Sequence, residues 1–179
     1  MTERRLILLR HAKSAWPDVA DHDRPLAPRG RRDAPVAGRW LRAKGLVPDR
    51  VLCSTARRAR ETWQLAEAGL GARPAAMFSG RVYRAATTEL LDLARPTPPE
   101  VRTLLIVGHD PAIHELTLEL AAAQAKDQEV LGRVRAKFPT AAIAVLAFAG
   151  EWASLGPGQA RLASFVEPSD LRGGRPGKR

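Results

Sequence analysis

Three short segments of the chain combine arginine with histidine in a way that could bind and attack a phosphate group. Arg10 precedes His11, Arg58 lies within a run of arginines, and His109 follows a glycine. A guanidinium presents a planar fork of donors that matches phosphate oxygens. A neutral imidazole is a nucleophile that can attack phosphorus. If the fold brings these segments together, they predict a site for a tetrahedral dianion.

The pattern of apolar runs predicts the elements that would position these residues. Short apolar runs of strand length alternate with longer segments of helix-forming composition. The predicted strands are 5–9, 50–53, 75–78, 103–107, 142–148 and 161–166, and the predicted helices are 28–44, 56–68, 87–94, 111–124 and 127–137. This alternation is typical of an α/β domain with a largely parallel sheet.

Each of the three segments follows one of the predicted strands, 5–9, 50–53 or 103–107. In parallel sheets, functional residues gather at the carboxyl ends of the strands. Each segment alone is weak evidence, because a histidine after a strand is usually a loop residue and an arginine run on a helix is usually a solvated face. Their joint occurrence at three strand ends predicts one shared pocket.

The same segments carry a resemblance to a known family. L-R-H-A-K-S at 9–14, S-T-A-R-R-A-R-E-T at 54–62 and V-G-H-D-P at 107–111 resemble the three signatures of the histidine phosphatase superfamily, the phosphoglycerate mutase-like enzymes. Within it, the chain is most similar to the small SixA-type phosphohistidine phosphatases, which residues 21–34 also resemble. The resemblance runs from Leu6 to Phe148 and implies a three-layer α/β/α sandwich with a mostly parallel central sheet.

The resemblance also implies a role for each residue of the shared pocket. His11 would be the catalytic nucleophile that carries the phosphoryl group. Arg10 and Arg58 would clamp the phosphoryl oxygens. His109 would donate to the same oxygens, and Ser14 would also contact the phosphate.

Glu89 is the candidate for a general acid, a role that larger members of the superfamily give to a glutamate between the second and third signatures. Residues 77–91 contain this one carboxylate. Two interpretations stay open. Glu89 either protonates the leaving group, or it is a solvated charge that the dipole at the start of a helix favours. The second interpretation is favoured.

Other residues near the signatures have both functional and structural interpretations. His22 has acidic neighbours, but nothing else at ligand spacing accompanies it, so no metal is predicted. Trp16 and Trp40 either flank the pocket or pack. Cys53 is the single cysteine, which excludes an intramolecular disulfide framework. It is predicted to behave as a small buried hydrophobe.

The charge of the chain would attract anionic partners. Lysine and arginine number 29 against 19 aspartate and glutamate, which gives a net charge of +10. Residues 170–179 are predicted to be a basic, disordered tail after a single domain of residues 1–169. The longest apolar run is shorter than the ~20 residues of a membrane span, and no signal peptide is apparent. A cytoplasmic protein is therefore expected.

The resemblance and the intact arginines and histidines together imply a metal-independent phosphatase that needs no cofactor. It would hydrolyse the P–N bond of phosphohistidine on a protein through a covalent phosphohistidine intermediate. Two alternatives stay open: a small-molecule phosphomonoesterase of the same superfamily, and a basic module on this fold that binds nucleic acid or a phosphoprotein. The expected partner is a phosphorylated protein or a small phosphorylated substrate, not a membrane, and the chain is expected to be a monomer.

Overall fold

The structure, a computed structural model, describes residues 2–122 and 127–172. Its strands are β1 (Glu3–Arg10), β2 (Arg50–Ser54), β3 (Ala75–Ser79), β4 (Thr103–Gly108), β5 (Ile143–Ala149) and β6 (Arg161–Val166). Its helices are α1 (Pro28–Ala43), α2 (Arg57–Leu70), α3 (Gly80–Tyr83), α4 (Thr87–Ala94), α5 (Ala112–Leu120), α6 (Gln128–Ala136) and α7 (Pro168–Arg172). None of the helices in these ranges is long and apolar enough to cross a membrane.

The strands form one mixed sheet in the order β3-β2-β4-β1-β5-β6. Strand β1 is parallel to β4, and β2 is parallel to both β4 and β3. Strand β5 is antiparallel to its neighbours β1 and β6. The prediction of an α/β fold with a mostly parallel sheet is confirmed. The carboxyl ends of β1, β2 and β4 therefore meet at one edge of the sheet, beside the amino end of β5.

Helices cover both faces of the sheet because the central strand β1 is apolar on both sides. Leu6 and Leu8 point into a core shared with α4, α5 and α6. Ile7 and Leu9 point into a second core, shared with α1 and α2. All four side chains are fully buried. A strand buried on both faces has a continuous apolar sequence, which is why a run without alternation predicted it.

A close contact between α1 and α2 fixes the helix that carries Arg58. A Cβ atom on Gly38 would overlap the backbone carbonyl of Ala66, and one on Gly69 would overlap that of Pro35. Glycine at these two positions lets the backbones lie this close. A larger residue at either position would push α2 away from α1.

Two segments differ from the expectation based on sequence. The helix predicted for 111–124 ends at Leu120, because Ala121 pairs with Ala160 in a short bridge. Residues 123–126 lie outside the described residues. The tail predicted from residue 170 begins inside helix α7, where Arg172 donates to the buried carboxylate of Asp33. The remainder of that predicted tail, 173–179, also lies outside the described residues.

Candidate active site

His11 stands directly after β1, and its imidazole is held in one tautomer. The residue is 7% exposed, and its Nδ1 lies 2.8 Å from the carbonyl oxygen of Ala12. Because a carbonyl oxygen can only accept, Nδ1 carries the hydrogen and donates it to Ala12. Nε2 therefore keeps a lone pair, which a nucleophile at phosphorus needs.

Thr62 ties the loop after His11 to α2. The backbone N–H of Ala12 donates to Thr62 Oγ1 at 2.9 Å, and the Thr62 hydroxyl donates to the carbonyl oxygen of Arg58 at 2.6 Å. Thr62 is fully buried. One hydroxyl thus fixes the loop of the candidate nucleophile against the helix that carries Arg58, which accounts for a threonine at the end of the second signature.

Arg10 and Arg58 each leave one buried donor without a partner. Arg10 Nη1 donates to the carbonyl of Phe138 at 2.7 Å, and Arg58 Nη1 donates to that of Asp21 at 2.8 Å. The Nε atoms of both arginines are buried and have no hydrogen-bond partner among the described residues. A buried donor left unsatisfied costs about 1–3 kcal/mol, and more when it is charged. An oxyanion bound between these guanidinium groups would remove that cost.

His109 follows β4 and lies beside His11, with the two ring centroids 5.1 Å apart. Arg58 Nη2 is 3.4 Å from His109 Nδ1, and His109 Nε2 is 2.7 Å from Ser54 Oγ. Since a guanidinium can only donate, Nδ1 is the acceptor and Nε2 donates to Ser54. The three signatures therefore meet in one pocket, as the sequence predicted from their places after β1, β2 and β4.

Burial and positive charge keep both imidazoles neutral. Burial lowers the pKa of His11 to about 3; the hydrogen bond to Ala12 opposes this shift, and the charges of His109, Arg58 and Arg10 add to it. Burial also lowers the pKa of His109 to about 4, with the charge of Arg58 as the next cause. At neutral pH, the His11 imidazole is therefore uncharged beside two guanidinium groups, which is the state that a nucleophile at phosphorus needs.

Asp21 connects the charged side chains of the site, a role that the sequence analysis missed. Its carboxylate accepts from the Tyr83 hydroxyl at 2.6 Å, from Arg58 Nη2 at 3.2 Å and from Arg24 Nε at 3.1 Å. The Tyr83 hydrogen bond is the largest of the causes that lower the pKa of Asp21 to about 2. Asp21 is thus ionised at neutral pH and accepts hydrogen bonds that orient Arg58. The spacing of three residues between Asp21 and Arg24 was the available sequence signal.

Ser14 is buried beside Arg24. Its Oγ accepts from Arg24 Nη1 at 3.0 Å, and the Arg24 guanidinium lies 3.6 Å from the ring centroid of Trp16. The Ser14 hydroxyl keeps its own hydrogen as a donor. A contact from Ser14 to phosphate therefore remains a prediction, and Arg24 is an additional cation that the sequence analysis did not single out.

Glu89 lies in the first turn of α4, as expected, and forms a surface ion pair. Its Oε1 accepts from Arg81 Nε at 3.0 Å, and its side chain is 38% exposed. Among the described residues, its carboxylate pairs with Arg81 and not with a residue of the pocket. The role of general acid stays a prediction for Glu89, and this placement favours the solvated charge.

His22 lies beside Tyr83, whose ring also packs against His109. Its Nε2 is 2.9 Å from Thr55 Oγ1, and its ring packs edge-on against Tyr83 with centroids 4.8 Å apart. Within residues 2–122 and 127–172, no cluster of three or more histidine, cysteine, aspartate or glutamate residues could hold a metal ion. The contacts of His22 with Thr55 and Tyr83 are therefore packing and hydrogen-bonding contacts beside the site.

Comparisons with known proteins agree with the geometry. The family model for the histidine phosphatase superfamily (branch 1) matches residues 6–79. An uncharacterized protein of Mycobacterium tuberculosis is 49% identical over 161 residues, which cover 89% of this chain and 99% of the relative. The solved structure of the putative phosphohistidine phosphatase SixA from Nakamurella multipartitia is 33% identical with a TM-score of 0.82, covering 94% of this chain and 98% of that one. The corresponding protein from Agrobacterium tumefaciens is 28% identical with a TM-score of 0.75, covering 92% and 98%.

Proposed function

The chain belongs to the histidine phosphatase superfamily, branch 1, and on this basis we propose that it is a SixA-type phosphatase that hydrolyses phosphohistidine on a protein. The observation that carries the proposal is a pair of guanidinium groups, those of Arg10 and Arg58, close enough to the neutral imidazole of His11 to help lower its pKa after burial. Each has a buried Nε donor with no partner among the described residues. This arrangement suits a phosphoryl group that is bound by arginine and attacked by histidine.

In the first step, His11 Nε2 forms a bond to phosphorus with its lone pair while the P–N bond of the substrate breaks. The leaving ring nitrogen keeps the electron pair of that bond. Arg10 and Arg58 donate to the phosphoryl oxygens, whose charge grows in the transition state. The Ala12 carbonyl, which accepts from Nδ1–H at 2.8 Å, stabilises the positive charge that develops on the His11 ring.

In the second step, a water oxygen attacks the phosphorus of phosphorylated His11. The bond between phosphorus and Nε2 breaks, its electron pair returns to Nε2, and the water proton leaves with the phosphate product or the solvent. His11 is then restored to the neutral tautomer in which Nδ1–H donates to Ala12.

The leaving group decides between P–N and P–O substrates. An alkoxide needs a proton from a positioned acid, which typically contributes about 10²–10⁴-fold to the rate. Asp21 is ionised, because hydrogen bonding to Tyr83 helps to lower its pKa to about 2, and Glu89 is held by Arg81 at the surface. The imidazole that leaves from phosphohistidine can be protonated near neutral pH, so it does not need a positioned acid. The site therefore favours phosphohistidine.

A bound dianion would also change His109. Its Nδ1 accepts from Arg58 at 3.4 Å, and a phosphoryl dianion beside the ring would raise its pKa relative to that of the empty site. A proton on Nδ1 would replace the hydrogen bond that Nδ1 accepts from Arg58, and His109 would then donate to the phosphoryl oxygens instead.

The test is a comparison of kcat/KM for a histidine-phosphorylated protein, a small phosphoramidate and a set of unactivated alkyl phosphates. P–N substrates should exceed alkyl phosphates by at least about 10²-fold, the lower bound for the missing acid. A preference for alkyl phosphates would instead support a small-molecule phosphomonoesterase.

Because arginine supplies the positive charge, turnover should survive prolonged EDTA treatment, and restoration of lost activity by Mg²⁺ would contradict the metal-independent mechanism.

A further inference from the structure

An exposed apolar segment lies between Ser14 and Asp21. We call Trp16, Pro17 and Val19 the rim. Trp16 is 77% exposed and Val19 is 49% exposed, in a chain with only 5% aromatic residues. Large apolar side chains that group on the surface mark binding sites more often than single ones do.

The rim is joined to the pocket through one guanidinium group. Arg24 is almost fully buried, and its guanidinium lies 3.6 Å from the Trp16 ring centroid. The same group donates to Ser14 Oγ at 3.0 Å and to the carboxylate of Asp21 at 3.1 Å, which also holds Arg58. The Trp16 ring is therefore held in place one guanidinium away from the hydrogen bonds that orient Arg58.

We propose that the rim is the surface on which the phosphorylated protein docks, through an apolar patch that flanks its phosphohistidine. This inference rests on the proposed function and adds the recognition element of the substrate protein. Aromatic residues are enriched at the energetic centres of protein interfaces. Because Arg24 already fixes Trp16, docking would lose little side-chain entropy.

The charges of the segment favour a protein over a nucleic acid as the occupant. Asp18 is the only charged residue of 15–20, and its sign would repel a phosphate backbone, which is bound through Lys and Arg. Positive charge adjoins the rim through Arg24, which contacts Trp16 and shares the Asp21 carboxylate with Arg58 of the pocket. An apolar rim next to a cationic pocket thus matches a phosphorylated residue within an apolar protein surface.

Val47 provides a matched control for Val19. It is 40% exposed, close to the 49% of Val19, and it precedes β2. It therefore lies toward the amino end of that strand, whereas the pocket lies at the carboxyl ends. A valine-to-alanine substitution removes the same two methyl groups at each position, so a difference between the variants reports on location.

The experiment measures kcat/KM of the full chain and its variants on two substrates. One is a small protein domain phosphorylated chemically on a surface histidine, and the other is a small phosphoramidate. Trp16→Ala should lower kcat/KM for the phosphoprotein about tenfold or more, mainly through KM, as an interface hot spot does. It should leave phosphoramidate turnover unchanged, and Trp16→Phe should restore part of the loss. Val19→Ala should show a smaller loss of the same kind, and Val47→Ala should show none.

Several results would overturn the docking surface. An equal loss on both substrates would mean that Trp16 acts through Arg24 on the pocket itself. No loss on the phosphoprotein, or the same loss in Val47→Ala, would mean that the rim binds nothing. Failure of the proposed function looks different, since the unmodified chain would then prefer alkyl phosphates to both P–N substrates. Binding of the phosphoprotein to His11→Ala, with and without Trp16→Ala, would then still decide whether the rim docks it.

Discussion

The two ends of β1 each carry an arginine whose buried Nε has no partner among the described residues, yet the surroundings of the two guanidinium groups differ. The Nη atoms of Arg4 are both bound to backbone carbonyls of neighbouring loops. Arg10 precedes His11, whose pKa is lowered mainly by burial and further by the charges of Arg58 and Arg10. Under the proposed function, an unsatisfied guanidinium binds an anion where a second cation and a histidine lie beside it, as at Arg10, and is otherwise a structural clamp, as at Arg4.

Replacing the two arginines of β1 should separate these roles. Arg10→Ala should lower kcat/KM by about 10²-fold or more, because a donor to the developing charge is lost. Arg4→Ala should lower the melting temperature, since it removes hydrogen bonds to two loops, and should leave turnover unchanged. Steady-state kinetics and thermal unfolding of both variants measure this. An equal loss of kcat/KM in Arg10→Ala and Arg4→Ala would show that the two arginines do not have different roles.

Helix α2 offers a second contrast between an arginine of the pocket, Arg58, and an exposed neighbour, Arg57. Arg58 is buried in the pocket, whereas Arg57 is exposed and pairs with Glu61 at 3.0 Å. Arg58→Ala should cost about 10²-fold in kcat/KM, and Arg57→Ala should cost almost nothing, because neighbouring helical side chains point about 100° apart. Similar losses in the two variants would mean that Arg58 is not the clamp.

The pocket end of β1 should also carry a pH dependence of stability. The pKa of His11 falls from 6.5 to about 3 on burial, so between these values the unfolded chain binds a proton that the folded chain does not. The free energy of unfolding should therefore fall as the pH is lowered through this window, by up to about 1.4 kcal/mol per unit. Denaturant titrations between pH 7 and pH 4.5 should show a shallower fall for His11→Asn. An unchanged pH dependence in that variant would contradict the burial of a neutral imidazole.

The smallest effect is expected outside the pocket, at Glu89. Glu89→Gln breaks a surface ion pair with Arg81, and such pairs contribute about 0–1 kcal/mol. Hydrolysis of a phosphoramidate should be nearly unchanged. A loss of about 10²-fold or more would instead identify Glu89 as the general acid.

The sequence predicted the features that depend on local pattern. The buried runs at 5–9 and 103–107 correspond to β1 and β4, and the three signatures meet at one edge because parallel strands end there. These features need only periodicity and strand direction, which a sequence carries directly.

Contacts between distant, non-periodic residues could not be predicted. Tyr83 donates to Asp21 across 62 residues from the short helix α3, which has no periodic signal. The helix predicted to reach residue 124 stops at Leu120 because Ala121 pairs with Ala160, a tertiary contact that overrides helix propensity. The exposure of Trp16 and its contact with Arg24 likewise depend on the fold of a loop.

The most direct test of the account is to trap phosphate on His11. The chain is mixed with a phosphohistidine protein or a phosphoramidate, quenched in base during turnover and analysed by peptide mass spectrometry. Because a P–N bond to imidazole is labile in acid and stable in base, the account predicts a base-stable, acid-labile phosphate on the peptide that contains His11. That signal should disappear, together with turnover, in His11→Ala. Phosphate on another residue, or a His11→Ala variant that keeps more than about a tenth of the activity of the unmodified chain, would contradict the covalent mechanism.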